Sequence, residues 1–220
     1  MDSLDLFQRL AVSLLPLVLA LTVREIARGR VALMLGDTTG KQYDRISLNP
    51  LKHVDPIGTL VLPGVFIALS QAGLGGLLIG WPKFVPIAER NFRDPKGGAI
   101  KVAAAGLGAN FGMALAWAFV FKFTYGASEG VGLGVHLMAQ LGISFNLSFL
   151  VLNLLPLPPF DVGRMLLVTL PPKPAQQLES LQPYTFPIIL LLAFVGVLGA
   201  IMTPLISLML GLISMIVTLF

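Results

Sequence analysis

Arg24, Glu25 and Arg28 stand in the stretch LTVREIARGR (21–30), directly after a charge-free run from Leu10 to Val23. Their spacing is that of H-E-x-x-H, in which two histidines one helical turn apart hold zinc and the glutamate beside the first acts as general base. A third ligand for such a site would come from a distant segment. The candidate is Asp161, on the proline-broken stretch NLLPLPPFDVGRM (153–165). In this chain both outer positions are arginine. Guanidinium offers five donors and no accessible lone pair, and it stays protonated in proteins, so Arg24 and Arg28 cannot ligate zinc. Charged groups inside a membrane segment are costly and usually functional, which makes the purpose of two arginines here the central question.

The elements that must position these residues are membrane helices. The 220 residues are 55% hydrophobic and 12% charged, with a mean hydropathy of +0.85; a soluble domain carries about 25% charged residues. Apolar runs near 7–33, 56–80, 99–123, 133–155 and 184–220 predict five or six membrane-spanning helices, roughly 20 residues each. The last run is too long for one straight span, and Gly199 and Thr203-Pro204 predict a break or kink within it. The N-terminal segment carries Asp2 and Asp5 against Arg9 and lacks a small-x-small cleavage pattern, so the first helix is expected to remain in the protein. No cysteine occurs, which excludes disulfides and thiolate chemistry. Lys and Arg gather at 41–52 and 83–101, so the net charge of +4 reads as membrane topology, with these loops facing the cytoplasm, and not as a nucleic-acid surface.

Two loops stand out. GDTTGKQYDRISLNPLKHVDPIG (36–58) is rich in turn residues, and RISLN within it alternates as a short strand would. GWPKFVPIAERNFRDPKGG (80–98) opens with WPKFVP, which reads as extended or strand-edge. Together they suit either a small β-hairpin or re-entrant element, or ordinary solvated loops. No repeat and no long linker divides the chain, so residues 1–220 read as a single domain.

Several long segments resemble the site-2 protease family of intramembrane zinc metalloproteases. They are LTVREIARG followed by GDTTGK, RISLNPLKHVDPIGTLVLP (45–63), GWPKFVPIAERNFRDPKGG, AAAGLGAN (103–110) and NLSFLVLNLLPLPPFDVGRM (146–165). The resemblance runs from the first helix to the last. It implies that positions 24 and 28 are zinc-ligand positions, that Glu25 is the general-base position, that Asp161 is the third ligand position and that Asn153 lies close to the active site. It also implies that the segments near 45–50 and 80–96 hold an unwound substrate beside the first helix. Its partners would be transmembrane segments of other proteins within the lipid bilayer, in a prokaryotic cytoplasmic membrane. This sequence departs from the family at four places. Two are the arginines; the others are the missing proline before Asn110 in Gly106-Leu107-Gly108-Ala109-Asn110, and Asp161-Val162-Gly163 in place of D-G-G. Such dispersed departures read as drift in a non-catalytic relative. No cofactor is expected in this chain, although the family uses zinc.

The arginines have two readings. In one they mark the cytoplasmic end of a short first span. In the other, two positive charges replace divalent zinc against Glu25 and Asp161, stapling the first helix to the 153–165 segment. Neither His53 nor His136 is placed by the sequence to rebuild a zinc site. Three functions therefore stand: a pseudoprotease that binds or regulates membrane segments, an active zinc-dependent intramembrane endopeptidase, or a transporter or channel using the charged cluster.

Overall fold

The structure, a computed structural model, describes residues 6–61, 64–65 and 83–219. It is all-helical among these residues, and the chain is a multi-pass membrane protein. Among the described residues four helices are long and apolar enough to cross a bilayer. They are α1 (Leu6–Met34), α3 (Pro95–Phe123), α4 (Gly130–Asn153) and α8 (Val197–Thr218). Shorter helices connect them: α2 (Thr39–Gln42), α5 (Asp161–Thr169), α6 (Pro172–Ser180) and α7 (Thr185–Phe194). The expected span near 56–80 falls largely outside the described residues; its opening part, Pro56–Val61, is a π-helical turn.

α1, α3 and α4 pack against one another to form the centre of the molecule. Small side chains make this possible. Ala103, Gly106, Asn110, Ala114 and Ala118 recur three or four residues apart on the buried face of α3, and small residues let membrane helices approach closely where no hydrophobic force separates helix from lipid. Gly142 serves the same end on α4, since a Cβ there would lie 2.4 Å from the Trp117 ring. α8 closes the bundle through Ile213, which joins Ala114, Ala118 and Leu147. α7 and the start of α8 cover Leu150 and Val151 with Ile189, Leu198 and Met202.

Two expectations need correction. No strand exists among the described residues: 45–49 is a turn region in which Arg45 bonds the Lys52 carbonyl and His53 Nε2 the Ser47 carbonyl. Residues 83–88 form no regular element, although the Lys83 N–H donates to the His53 carbonyl at 2.8 Å. The 184–220 run does break, but at Gly196, where φ is +79°, not at Gly199 or Pro204. Glycine tolerates that left-handed conformation at little cost, while Pro204 is accommodated inside α8.

Candidate functional site

α1 continues past the charge-free run to Met34, so Arg24, Glu25 and Arg28 lie well inside the helix and not at its end. The opposing segment is built by prolines. α4 stops at Asn153, Pro156, Pro158 and Pro159 prevent its continuation, and the chain re-enters helix at Asp161. Gly163 makes this return possible: a Cβ there would lie 2.2 Å from the Leu157 carbonyl carbon. Asp161 thereby sits in the first turn of α5, where the helix dipole favours a carboxylate.

The four charged residues meet in one buried cluster. Relative exposures are 4% for Arg24, 0% for Glu25, 3% for Arg28 and 2% for Asp161. Arg24 donates from Nη1 to Glu25 Oε1 at 2.5 Å, and from Nη2 to Asp161 Oδ2 at 2.7 Å and Asn153 Oδ1 at 2.6 Å. Arg28 Nη1 donates to both oxygens of Glu25, at 3.0 and 3.2 Å. Arg28 Nε lies 2.9 Å from Asp161 Oδ1, an ion pair by distance whose N–H direction misses the oxygen. Asn153 is itself held by donation from Nδ2 to the Phe149 carbonyl at 2.7 Å. Two positive and two negative charges thus face one another, and α1 is tied to both ends of the 153–161 break. The boundary reading does not hold for Arg24 and Arg28; Arg30, by contrast, is exposed.

Three contributors to this cluster escaped the sequence reading. Val85 donates its backbone N–H to Glu25 Oε2 at 2.8 Å. Pro82 and Pro86 have no N–H, which leaves this segment few donors and gives one faint sequence signal for Val85. Gly106 supplies space: a Cβ there would fall 2.8 Å from Asp161 Oδ2 and 2.9 Å from Arg28 Cδ. Arg164 pairs with Glu89 and donates to the Ile87 carbonyl at 3.0 Å, fastening α5 to the 83–91 segment. Between these pairs a cleft of about 10 Å³ is lined by Arg28, Glu89, Asp161 and Arg164, room for about one water molecule.

A second cluster secures the end of α1. Asp37 Oδ1 accepts from Thr39 N at 3.1 Å, Thr39 Oγ1 at 2.5 Å and Asn91 Nδ2 at 2.8 Å, and Oδ2 from Ala88 N at 2.9 Å. Burial pushes the Asp37 carboxyl up, but these donors outweigh it and hold the group below its ordinary value. The histidines are engaged elsewhere. His53 bonds the Ser47 carbonyl, and His136 stacks on Phe121 at 4.3 Å and bonds Thr124 Oγ1 at 3.1 Å.

Comparison with known proteins bears on the chemistry expected at this cluster. The chain is 31% identical over 206 residues to "Putative zinc metalloprotease YwhC" of Bacillus subtilis (strain 168), covering 90% of this chain and 88% of that protein. The chain belongs to this zinc metalloprotease family. No family model matches it, and no solved structure does. The residues present do not fit the zinc that the family name implies. No group of three His, Cys, Asp or Glu residues that could hold a metal exists among the described residues. Glu25 and Asp161 are the only carboxylates in the cluster, and both already pair with guanidinium groups. Two carboxylates and an amide oxygen beside two fixed cations are a poor donor set for zinc, which takes nitrogen and sulfur ligands in most sites.

Proposed function

We propose that this chain is a site-2-protease-like pseudoprotease, a non-catalytic relative that binds or regulates transmembrane segments of other proteins. The observation that carries this reading is the arginine–carboxylate cluster. Glu25, the general-base position, receives hydrogen bonds from Arg24, Arg28 and Val85 N–H, so its oxygens are engaged by the protein itself. A carboxylate held as the acceptor of three donors is a poor proton acceptor for a reacting water. A helical scaffold surrounds it, with a proline-broken segment facing α1 at the depth of the cluster. Non-helical backbone at such depth is tolerated only where protein or a cavity covers it, and this arrangement suits holding another membrane segment beside α1.

The test uses the full chain reconstituted with synthetic single-span peptides that carry a fluorophore and quencher on either side of the membrane segment. The expected result is saturable association with at least one peptide class, no cleavage, and no effect of zinc or chelator on either. Zinc-dependent, chelator-sensitive cleavage by the unaltered chain contradicts the proposal and makes the active endopeptidase the better reading.

A further inference from the structure

We propose that the end of the molecule formed by the C-terminal turns of α1, the N-terminal turns of α3 and the flanking segments 35–55 and 83–94 binds the headgroups of anionic phospholipids in its own leaflet. Nine of the 15 Lys and Arg residues lie between positions 30 and 101, against five Asp and Glu. Four of these five acidic residues are engaged within the protein, and the fifth, Asp94, is exposed. Asp37 accepts four hydrogen bonds from Thr39, Asn91 and Ala88; Glu89 pairs with Arg164; Asp44 pairs with Lys52. Asp55 accepts the N–H groups of Ile57 and Gly58 at 3.0 and 2.7 Å, and Asp94 lies against the first turn of α3 beside Gly97.

Five of the nine cations are not so used. Arg30, Arg90, Arg93, Lys96 and Lys101 are all exposed, and none has a carboxylate partner among the described residues. This end therefore presents several exposed cations without a carboxylate partner, on a segment with an excess of four positive charges (nine Lys and Arg against five Asp and Glu). Position decides which anion it meets. The Arg93 N–H donates to the Leu35 carbonyl at 3.2 Å, which sets the end of α1 beside the start of α3. Arg30 lies four residues before the end of α1 and Lys101 six after the start of α3, about 6 and 9 Å along the helix axes. Because α1 and α3 are bilayer-spanning helices, these depths fall where hydrocarbon gives way to headgroups. Exposed Met34 and Ile100 stand beside these cations, so acyl chains meet apolar surface just below the phosphates. Long basic side chains at this level reach outward to headgroups. At the far end of α3, Lys122 donates to the Val217 carbonyl at 2.9 Å, so the corresponding cation there is bound within the protein.

Electron-spin resonance with spin-labelled lipids tests this on the full chain reconstituted in phosphatidylcholine. Labelled phosphatidylglycerol should associate about five-fold or more strongly than labelled phosphatidylcholine, the ratio expected for one fully effective cation near the surface. The preference should collapse at 1 M salt, where the screening length is about 3 Å. Neutralising Arg30→Gln, Arg93→Gln, Lys96→Gln and Lys101→Gln together should abolish it, whereas Lys173→Gln should not. If the quadruple variant fails to fold, Arg93→Gln with Lys96→Gln and the salt titration of the unaltered chain decide. Equal association of the two lipids, or a preference that survives neutralisation, overturns the proposal. So does salt-sensitive retention of poly-glutamate without lipid selectivity, which would assign the surface to an acidic polypeptide.

Discussion

Asp161→Asn removes one charge from the buried cluster and almost no volume. In the unaltered protein Asp161 accepts from Arg24 at 2.7 Å and lies 2.9 Å from Arg28 Nε. After the substitution both guanidinium groups remain buried with only Glu25 to neutralise them, and the amide can present an N–H where an acceptor is needed. Removing one partner of a buried ion pair costs about 3–5 kcal/mol, because the remaining charge is stranded away from water. Exposures of 5% or less for the side chains involved leave little solvent to soften that penalty. For a chain of this size each kcal/mol moves the midpoint by roughly 2–4 °C, so thermal unfolding in detergent should show a fall of about 6–20 °C. Adding Arg28→Met restores neutrality, and the double variant should recover part of the loss, giving a coupling energy of the sign expected for an attractive pair. An Asp161→Asn midpoint within 2 °C of the unaltered chain, or strictly additive losses in the double variant, refutes the reasoning.

Further outcomes follow from the same geometry. Arg24→Lys keeps the charge but cannot reach Glu25, Asn153 and Asp161 together; since hydrogen bonds to charged groups are worth about 1.5–3 kcal/mol each, the same unfolding assay should show at least one such loss, and an unchanged midpoint would rule out Arg24 as the junction. Gly163→Ala should destabilise more than Gly106→Ala. Its Cβ would strike the Leu157 backbone, whereas at Gly106 it would meet side-chain atoms of Arg28 and Asp161; overpacking of this kind costs about 1–3 kcal/mol or more, and the reverse order in detergent stability would count against the described packing. Asp37 is held below its ordinary value, so its contribution to stability is complete above that value and is lost as pH falls through the lower folded value. The stability gap between the unaltered chain and Asp37→Asn should be constant near neutral pH and close on acidification; a gap that widens in acid gives the wrong sign.

Much of this site was legible in the sequence because its logic is one of charge and spacing. Arg24 and Arg28 fall one turn apart on a helix whose charge-free run, Leu10 to Val23, is too short to cross a bilayer alone, and two carboxylates exist to neutralise them. The prolines at 156, 158 and 159 announced the break that brings Asp161 into place. The short strands were misjudged because alternation at 45–49 is a local pattern, while a strand needs a hydrogen-bonding neighbour that the described residues do not provide; the N–H groups of Val85 and Ala88 bond to the carboxylates of Glu25 and Asp37 instead. The break at Gly196 was misplaced because a proline inside a membrane helix is tolerated when packing satisfies its surroundings, whereas a glycine in left-handed conformation leaves no hydropathy signal. Val85 and Gly106 were missed for a related reason. One acts through its backbone and the other through the absence of a side chain.

If Arg24 and Arg28 stand, in charge and in place, where a metal stands in this family, histidine at both positions should restore a zinc site. Metal content of the purified chain, measured beside the Arg24→His/Arg28→His double variant after zinc loading and removal of excess metal, tests it most directly. The account predicts no bound zinc in the unaltered chain and about one zinc per chain in the double variant, the fourth position left to water as in three-ligand sites. Stoichiometric zinc in the unaltered chain would contradict the account, because a site whose carboxylates are held by guanidinium groups has nothing left with which to bind it.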